Sequence, residues 1–475
     1  MTYYYKLNKN TSVDYYFNKN GLRDKLLSSL SNPSKQISLY YANNTHINDV
    51  TCLNNVHSIT IRHCSKLFDV SPLSNCHYLD LTCSKGFKDI SSLSNVHTLI
   101  LDDCSSKIDS INHLINVNKL VVTHNKNISN ISNLINCETL VLRDCLNVHD
   151  ISSLKCLKYL TLERTGIWNY DNISKTLKSI QAKCCTAGGF TRREFIDKIT
   201  GTIFNDFNDM DLVSFIDCSV KEVSNCNNIN KININNCIIT IINMINDVKA
   251  LDVMECNRLT TISNIKNVEN LTLDNLSILT TLENLSGLTN VKLCALPLSN
   301  FSCLVGSNVC KLELIKLDAL IDVSYLGFCP DIKISKCPNV TDISRLSNCH
   351  RLVIEDCRGV TDVSSLGTIQ DLSITFHLSH TNIPFHVNGI RSLGKVATLK
   401  LQGLDIGDED IPFLTTVRSL DLSYCPNVTD ISPLSKLQSL TLSYMRNVQD
   451  VSMFTKKKKS FFKYTPWYDY YGAGW

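Results

Sequence analysis

"CPNVTDISRLSNCHRLVIEDC", residues 337–357, returns almost unchanged as "CPNVTDISPLSKLQSLTLSYM" at residues 425–445. A chain that writes one phrase twice is built of units, and a short fixed period is the mark of a solenoid or a related array. Within the phrase, apolar-x-apolar defines positions 1 to 3, and a small residue, Cys or Asn, falls at position 6. Clear starts lie at Ile37, Ile59, Leu79, Leu99, Leu120, Leu140 and Leu160. They resume at Ile232, Leu251, Leu271, Val291, Leu312, Ile332, Leu352 and Leu372, and end at Leu399, Leu420 and Leu440. Ile180 and Val213 fit two weaker turns into the gap. The spacing is 19 to 22 residues, most often 20, which gives about 20 turns.

Each part of the phrase has a physical role. Positions 1 and 3 alternate with polar residues, as in a strand with one buried face. Position 6, Cys64, Cys104, Cys145, Cys237, Cys256, Cys337, Cys357 and Cys425, with Asn125 once, suits the bend where backbone groups leave the sheet and need partners. Asp-Ile/Val-Ser-x-Leu follows, as in Asp69 to Leu73, Asp342 to Leu346 and Asp430 to Leu434. Its Ser is expected to cap one short helical turn, with Pro72 and Pro433 just inside it. The recurring Asp residues are expected along one edge, bonded to local backbone. Twenty residues leave no room for a full outer helix, so a 3₁₀ or extended flank is expected. Stacked in register, the strands make one parallel sheet, and no turn buries its apolar edge alone.

Asp-Ile-Ser-Pro-Leu at 430–434 resembles the repeats of bacterial internalins. The cysteine of "YCPNVTDIS", 424–432, resembles the cysteine-containing repeats of F-box-type leucine-rich proteins. The chain is thus similar to the leucine-rich repeat superfamily over about residues 36–454, with shorter turns than internalins and Cys in place of the usual Asn. The resemblance implies an α/β solenoid of leucine-rich-repeat class and a curved binding scaffold, without naming a ligand.

Composition narrows the classes. The 475 residues carry a net charge of only +3 and 43% hydrophobic residues. There is no global electrostatic case for nucleic acid. No apolar run reaches roughly 18 residues, and the first residues lack a signal-like apolar core, so a cytoplasmic protein without a membrane span is expected. The 22 cysteines then read as reduced, small buried hydrophobes. Neighbouring position-6 cysteines fall within disulfide range by Cα spacing alone, yet free thiols are expected. The Asn-x-Ser/Thr triplets read as products of the repeat.

The organisation expected is an N-terminal cap over 1–36, a first half-array over 37–185, an inserted amphipathic helix over 186–211, a second half-array over 212–454, and a basic-aromatic cap or tail over 455–475. The helix rests on a Thr191–Glu194 capping box and on Phe195, Ile196, Ile199, Ile203 and Phe207 at helical spacing. Another break, 376–398, lengthens one turn and gathers His377, His380 and His386. Without an evident fourth ligand these read as loop histidines, and no metal or cofactor is expected. The tail, Lys456–Lys459 followed by aromatics to Trp475, could close the open solenoid end or dock weakly on a membrane or assembly.

No phosphate loop, nucleophile elbow or His-Glu-x-x-His motif occurs, and Cys184–Cys185 lacks a nearby histidine base, so no enzyme is expected. Function falls to the outward positions 2, 4 and 5 of the strand face, expected to be concave. The candidates are Asp102, Asp103, Arg143, Asp144, Glu163 and Arg164 in the first half, whose mixed charge suits a protein partner. Near the end come Asp421, Ser423, Tyr424, Thr441, Ser443 and Tyr444, where tyrosines offer contact area at small entropic cost. The leading expectation is a non-enzymatic protein-interaction scaffold. The alternatives are an assembly component docked through its tail and an adaptor that recruits an enzyme.

Overall fold

The computed structural model describes residues 3–7, 37–42, 48–54, 56–104, 107–167, 176–185, 202–205, 208–218, 220–377, 383–448, 450–455 and 462–465. It divides into two compact units, Met1–Ile241 and Ile242–Trp475. Each is a parallel β-solenoid of leucine-rich-repeat type, and together they make about 18 turns with little helix.

The repeating phrase sets the register. In the C-terminal unit, strand Asp331–Ser335 pairs in parallel with Arg351–Glu355, Ile332 opposite Leu352 and Ile334 opposite Ile354. The same pairing runs from Asn290–Cys294 to Ser439–Ser443. In the N-terminal unit it runs from Ser58–Arg62 to Ser179–Lys183. Positions 1 and 3 are buried in nearly every turn, and the flank adds Ile343, Leu346 and Cys349 from the turn between. Registration is firm because a one-residue slip would turn every apolar side chain to water.

Position 6 does what its chemistry suggests. The Cys337 thiol donates to Ser335 O at 3.4 Å and reaches Leu314 O, one turn back, at 3.8 Å. Cys357 repeats this with Glu355 O and Ile334 O, and Cys425 with Ser423 O and Leu401 O. Burial pushes the Cys145 thiol up to about 11 and that of Cys425 up to about 12, so both stay protonated donors at neutral pH. Asn125 serves its turn with two backbone N–H bonds, from Asn127 and Ile128.

Position 5, just before it, carries a constraint that apolar patterning does not reveal. Its residue is left-handed turn after turn: Asp103, Asp144, Asp217, Asn236, Asn275 and Asp356, but also His63, Lys316, Tyr424 and Tyr444, with φ between 45° and 58°. The left-handed corner turns the chain out of the strand while its N–H still reaches the next turn, as Asp356 N does to Thr375 O at 2.9 Å.

The Asp-Ile-Ser flank forms a 3₁₀ turn, such as Ser344–Asn348 or Ser432–Lys436. The expected cap is corrected here. The serine starts the turn and makes no side-chain cap bond. Instead the aspartate two residues earlier accepts the serine N–H: Asp342 from Ser344 at 2.9 Å and Asp69 from Ser71 at 2.8 Å. The aspartate reaches this orphan donor because it stands two residues before it, just outside the turn.

A second flank design spans 208–285. Strands Val220–Asn235, Ile241–Met254 and Thr261–Asp274 run through the flank itself. Buried residues recur every third position, as at Ile242, Ile245, Val248 and Leu251. Left-handed residues mark the corners between them, Met244 and Asp247 in one turn, Asn264 and Asn267 in the next.

The helix expected over 186–211 falls outside the described residues up to 201. Beyond that its sequence is strand, Thr202–Asn205 and the start of Asn208–Ile216, both paired in parallel with Val220–Asn235. Apolar residues three to four apart fit either a helix or this triplet flank, and at Ile203 the chain is strand. The expected caps are only partly described. Tyr3–Leu7 pairs with Ile37–Ala42, and the rest of 1–36 lies outside. At the other end Phe462–Thr465 pairs with Ser439–Ser443, and Phe462 stacks at 5.1 Å on fully buried Phe454. Lys456–Lys459 and 466–475 lie outside the described residues.

Candidate functional site

The strand face of the N-terminal unit is built by positions 2 and 4 of its short strands, edged by the left-handed column. Here the sequence-expected charges meet one another. The Arg164 guanidinium grips Asp144, with Nη2 at 2.7 Å, and its Nη1 donates to Glu163 at 2.7 Å. Arg143 lies 3.4 Å from Glu163, its register partner across the same strand pair, and His124 of the preceding turn lies 3.2 Å from Asp144. The Arg164 hydrogen bonds hold the Asp144 carboxyl below its ordinary range, against the opposing effect of burial. One end of the face follows the same rule. Lys85 lies 3.0 Å from Asp103, and Thr123 Oγ donates to Asp102 while accepting the Asp103 N–H at 2.7 Å. The six candidates therefore gather into two clusters, Asp102 with Asp103 and Arg143 with Asp144, Glu163 and Arg164, held mainly by contacts between neighbouring turns. Side chains this exposed stabilise the stack by no more than about 1 kcal/mol per pair.

The last turns of the C-terminal unit are different. Asp421 pairs in register with Thr441, and Ser423 with Ser443. Ser423, expected to be exposed, is buried at 6%. Its short side chain lies between the register partners Gln402 and Ser443 and donates to Asp421 at 3.0 Å. Tyr424 and Tyr444 occupy the left-handed column at φ 53° and 56°, half-buried, with their rings stacked 4.7 Å apart.

The lengthened turn at 376–398 separates its histidines. His377 binds Asp356 at 2.8 Å, and His386 faces Asp405 at 3.4 Å; His380 lies outside the described residues. A polar recess of about 450 Å³ opens beside His386, lined also by Asn388, Arg391, Asp405, Glu409 and Asp410. Among the described residues no group of three or more His, Cys, Asp or Glu side chains could hold a metal ion, and no helix is long and apolar enough to cross a membrane. Cys184 is half-buried beside Asp217, and burial followed by that carboxylate raises its thiol, the opposite of what a nucleophile needs.

Two features of these faces escaped the sequence reading. One is the pairing of charges across turns, which a 20-residue offset between Asp144 and Arg164 could have signalled. The other is a column of histidines two residues before position 1: His57, His77 and His97 stack at 4.8 and 4.4 Å. Its signal, His-x-Ile/Leu in three successive turns, is plain once the turns are aligned.

No family model and no curated protein matches the sequence. Solved structures do. An internalin from Listeria monocytogenes aligns over 90% of this chain and 92% of its own, at 16% identity and a TM-score of 0.23. The functional domain of a second Listeria monocytogenes protein, described as including a cysteine ladder, aligns over 84% and 76%, at 15% identity and a TM-score of 0.29. A leucine-rich-repeat protein from Leptospira interrogans aligns over 86% and 89%, at 14% and 0.28. The fold assignment itself stands on the repeat register, the left-handed corner and the position-6 bonds described above.

Proposed function

We propose that this chain is a non-enzymatic interaction scaffold that binds a protein partner on its strand face, with the last turns of the C-terminal unit as the main contact. The Tyr424–Tyr444 stack carries the reading. A left-handed residue with a β-carbon costs roughly 1–2 kcal/mol, which Asn or Gly largely avoids. Elsewhere the same column often holds Asp or Asn. Bulky tyrosines kept at two successive strained corners fit a selected recognition surface better than a turn. Asp421, Thr441 and Ser443 beside them supply polar contacts, and buried Ser423 orients Asp421. In the N-terminal unit Asp102, Asp103, Arg143, Asp144, Glu163 and Arg164 form a secondary surface, because a partner there must exchange existing ion pairs for its own. The same reading places the chain in the cytoplasm, where thiols serving as backbone donors remain reduced.

The test is quantitative capture of partners from the native lysate by the full chain and by the double variant Tyr424→Asn/Tyr444→Asn. Asparagine accepts the left-handed backbone, so the fold survives, as the melting curve checks. Loss of a specific captured protein supports the reading, and an undiminished set overturns it.

A further inference from the structure

We propose that the His57–His77–His97 column is a surface site for a borderline transition-metal dication of the nickel, copper or zinc class. The three residues come from consecutive turns of the N-terminal unit. Each stands one residue before its strand, at Ser58–Arg62, Tyr78–Asp80 and Thr98–Leu101. The backbone fixes their spacing: Tyr78 N and His77 N both donate to His57 O, and Thr98 N donates to His77 O at 2.9 Å. Their rings lie nearly parallel, 11° and 10° apart, at 4.8 and 4.4 Å. His77 and His97 are exposed and His57 is half-buried.

Imidazole is the commonest protein ligand for these ions. Two nitrogens at about 2.1 Å from one tetrahedral ion stand about 3.4 Å apart. The lone pair lies in the plane of its ring, so these nearly parallel rings must each turn about χ1 and χ2 until their planes meet at the ion, and exposed side chains change rotamer at small cost. A ring turned one way meets one neighbour, so each ion takes two protein nitrogens, from His57 and His77 or from His77 and His97, with water in the remaining positions. A two-ligand site of this kind is compatible with the absence, among the described residues, of any converging group of three. One ring is already oriented. His97 Nδ1 lies 3.3 Å from Thr98 Oγ, and in the tautomer that donates to it Nε2 carries the lone pair outward, as a second-shell partner would arrange. Hard cations such as Mg²⁺ or Ca²⁺ prefer oxygen donors and are excluded by this ligand set.

His77 belongs to both pairs, which makes the test asymmetric. Ni²⁺ is titrated into the untagged full chain by calorimetry, while absorption is followed for the thiolate-to-nickel charge transfer that would report cysteine binding. His77→Ala is expected to weaken nickel binding about 10- to 100-fold, without a charge-transfer band in the wild type. His57→Ala and His97→Ala each leave one pair and keep binding within about threefold, and all three variants melt like the wild type because the side chains lie at the surface. Undiminished binding in His77→Ala, a wild-type signal that is entirely thiolate, or equal losses in all three variants would each overturn the proposal.

Discussion

Within the C-terminal unit two flanks close the same kind of strand. From 300 to 455 the chain mostly leaves the sheet through a short helical turn, usually 3₁₀, whose orphan N–H is met locally by an aspartate, as Asp322 meets Ser324 at 2.8 Å, or by Asn300 at Ser302. From 242 to 285 the flank is itself strand, and its polar groups are met by the neighbouring turn: Thr281 N donates to Thr260 O at 3.0 Å, and Asn267 Nδ2 to Asp247 at 2.9 Å. Both satisfy the buried backbone, but one does so within a turn and the other between turns. The first should tolerate changes that the second cannot, and its stability should follow the state of its carboxylates.

Proline separates them most sharply. Arg345 is exposed and holds, in its 3₁₀ turn, the place that Pro72 and Pro433 hold in theirs. Arg345→Pro should alter stability by less than about 0.5 kcal/mol. Thr281→Pro deletes a donor from the inter-turn ladder and should cost about 3 kcal/mol or more. Denaturant midpoints of the two variants measure the contrast, and equal losses would mean that the flanks do not differ in this way.

Two glycines sharpen the same comparison at smaller cost. Gly287, at φ +75°, lies so close to the extended flank that an added Cβ would stand 2.5 Å from Asn267 Cα. Gly306, at φ +87° after the 3₁₀ turn Ser302–Leu304, has open space around it. Gly306→Ala should cost only the backbone strain, about 1 kcal/mol, and Gly287→Ala clearly more, because two backbones must part. The readout is the difference between their melting shifts.

The strand face, the position-6 cysteine and the Asp-Ile-Ser flank were legible because each puts a distinctive residue type at a fixed offset. The left-handed column was not. Its Asp and Asn members carry the usual signal, but His63, Lys316 and Tyr424 satisfy the same backbone without it. The extended flank was read as more of the same repeat because Leu251 and Leu271 keep the period, while the triplets Ile239, Ile242, Ile245 and Val248 between them need a second period to be noticed. The mixed charges at Asp144, Glu163 and Arg164 were plain in the sequence but the Arg164–Asp144 pairing was not, because it exists only between turns.

Acid should act on one flank before the other. Hydrogen bonds from Ser324, Ser344 and Ser452 hold the carboxyls of Asp322, Asp342 and Asp450 below their ordinary values. A carboxyl whose pKa is lower in the folded chain contributes stability that is complete above its unfolded value, near 4, and is lost as pH falls through the folded one. Hydrogen exchange followed from pH 5 to below 3, corrected for intrinsic rates, should therefore show the amides of Ser324 and Ser344 losing protection while those of 262–273 keep theirs. Simultaneous loss in both regions would place the acid-sensitive groups elsewhere.

The smallest expected effect tests whether the extended flank is limited by its corners. Met244 is left-handed at φ 54° and 48% exposed, so its side chain gains little from burial while its β-carbon is strained. The corners of the following turn at Asn264 and Asn267 have the residue type that tolerates this backbone, and Asn264 also donates to Asn243 at 2.9 Å. Met244→Asn should therefore stabilise the C-terminal unit by about 0.5 kcal/mol. The same exchange at Tyr424 relieves the same strain but removes the ring stack, so it should leave the melting temperature nearly unchanged while weakening partner capture. A stabilised Met244→Asn beside a stability-neutral, binding-deficient Tyr424→Asn would separate a corner that is merely unoptimised from one whose side chain is kept for recognition.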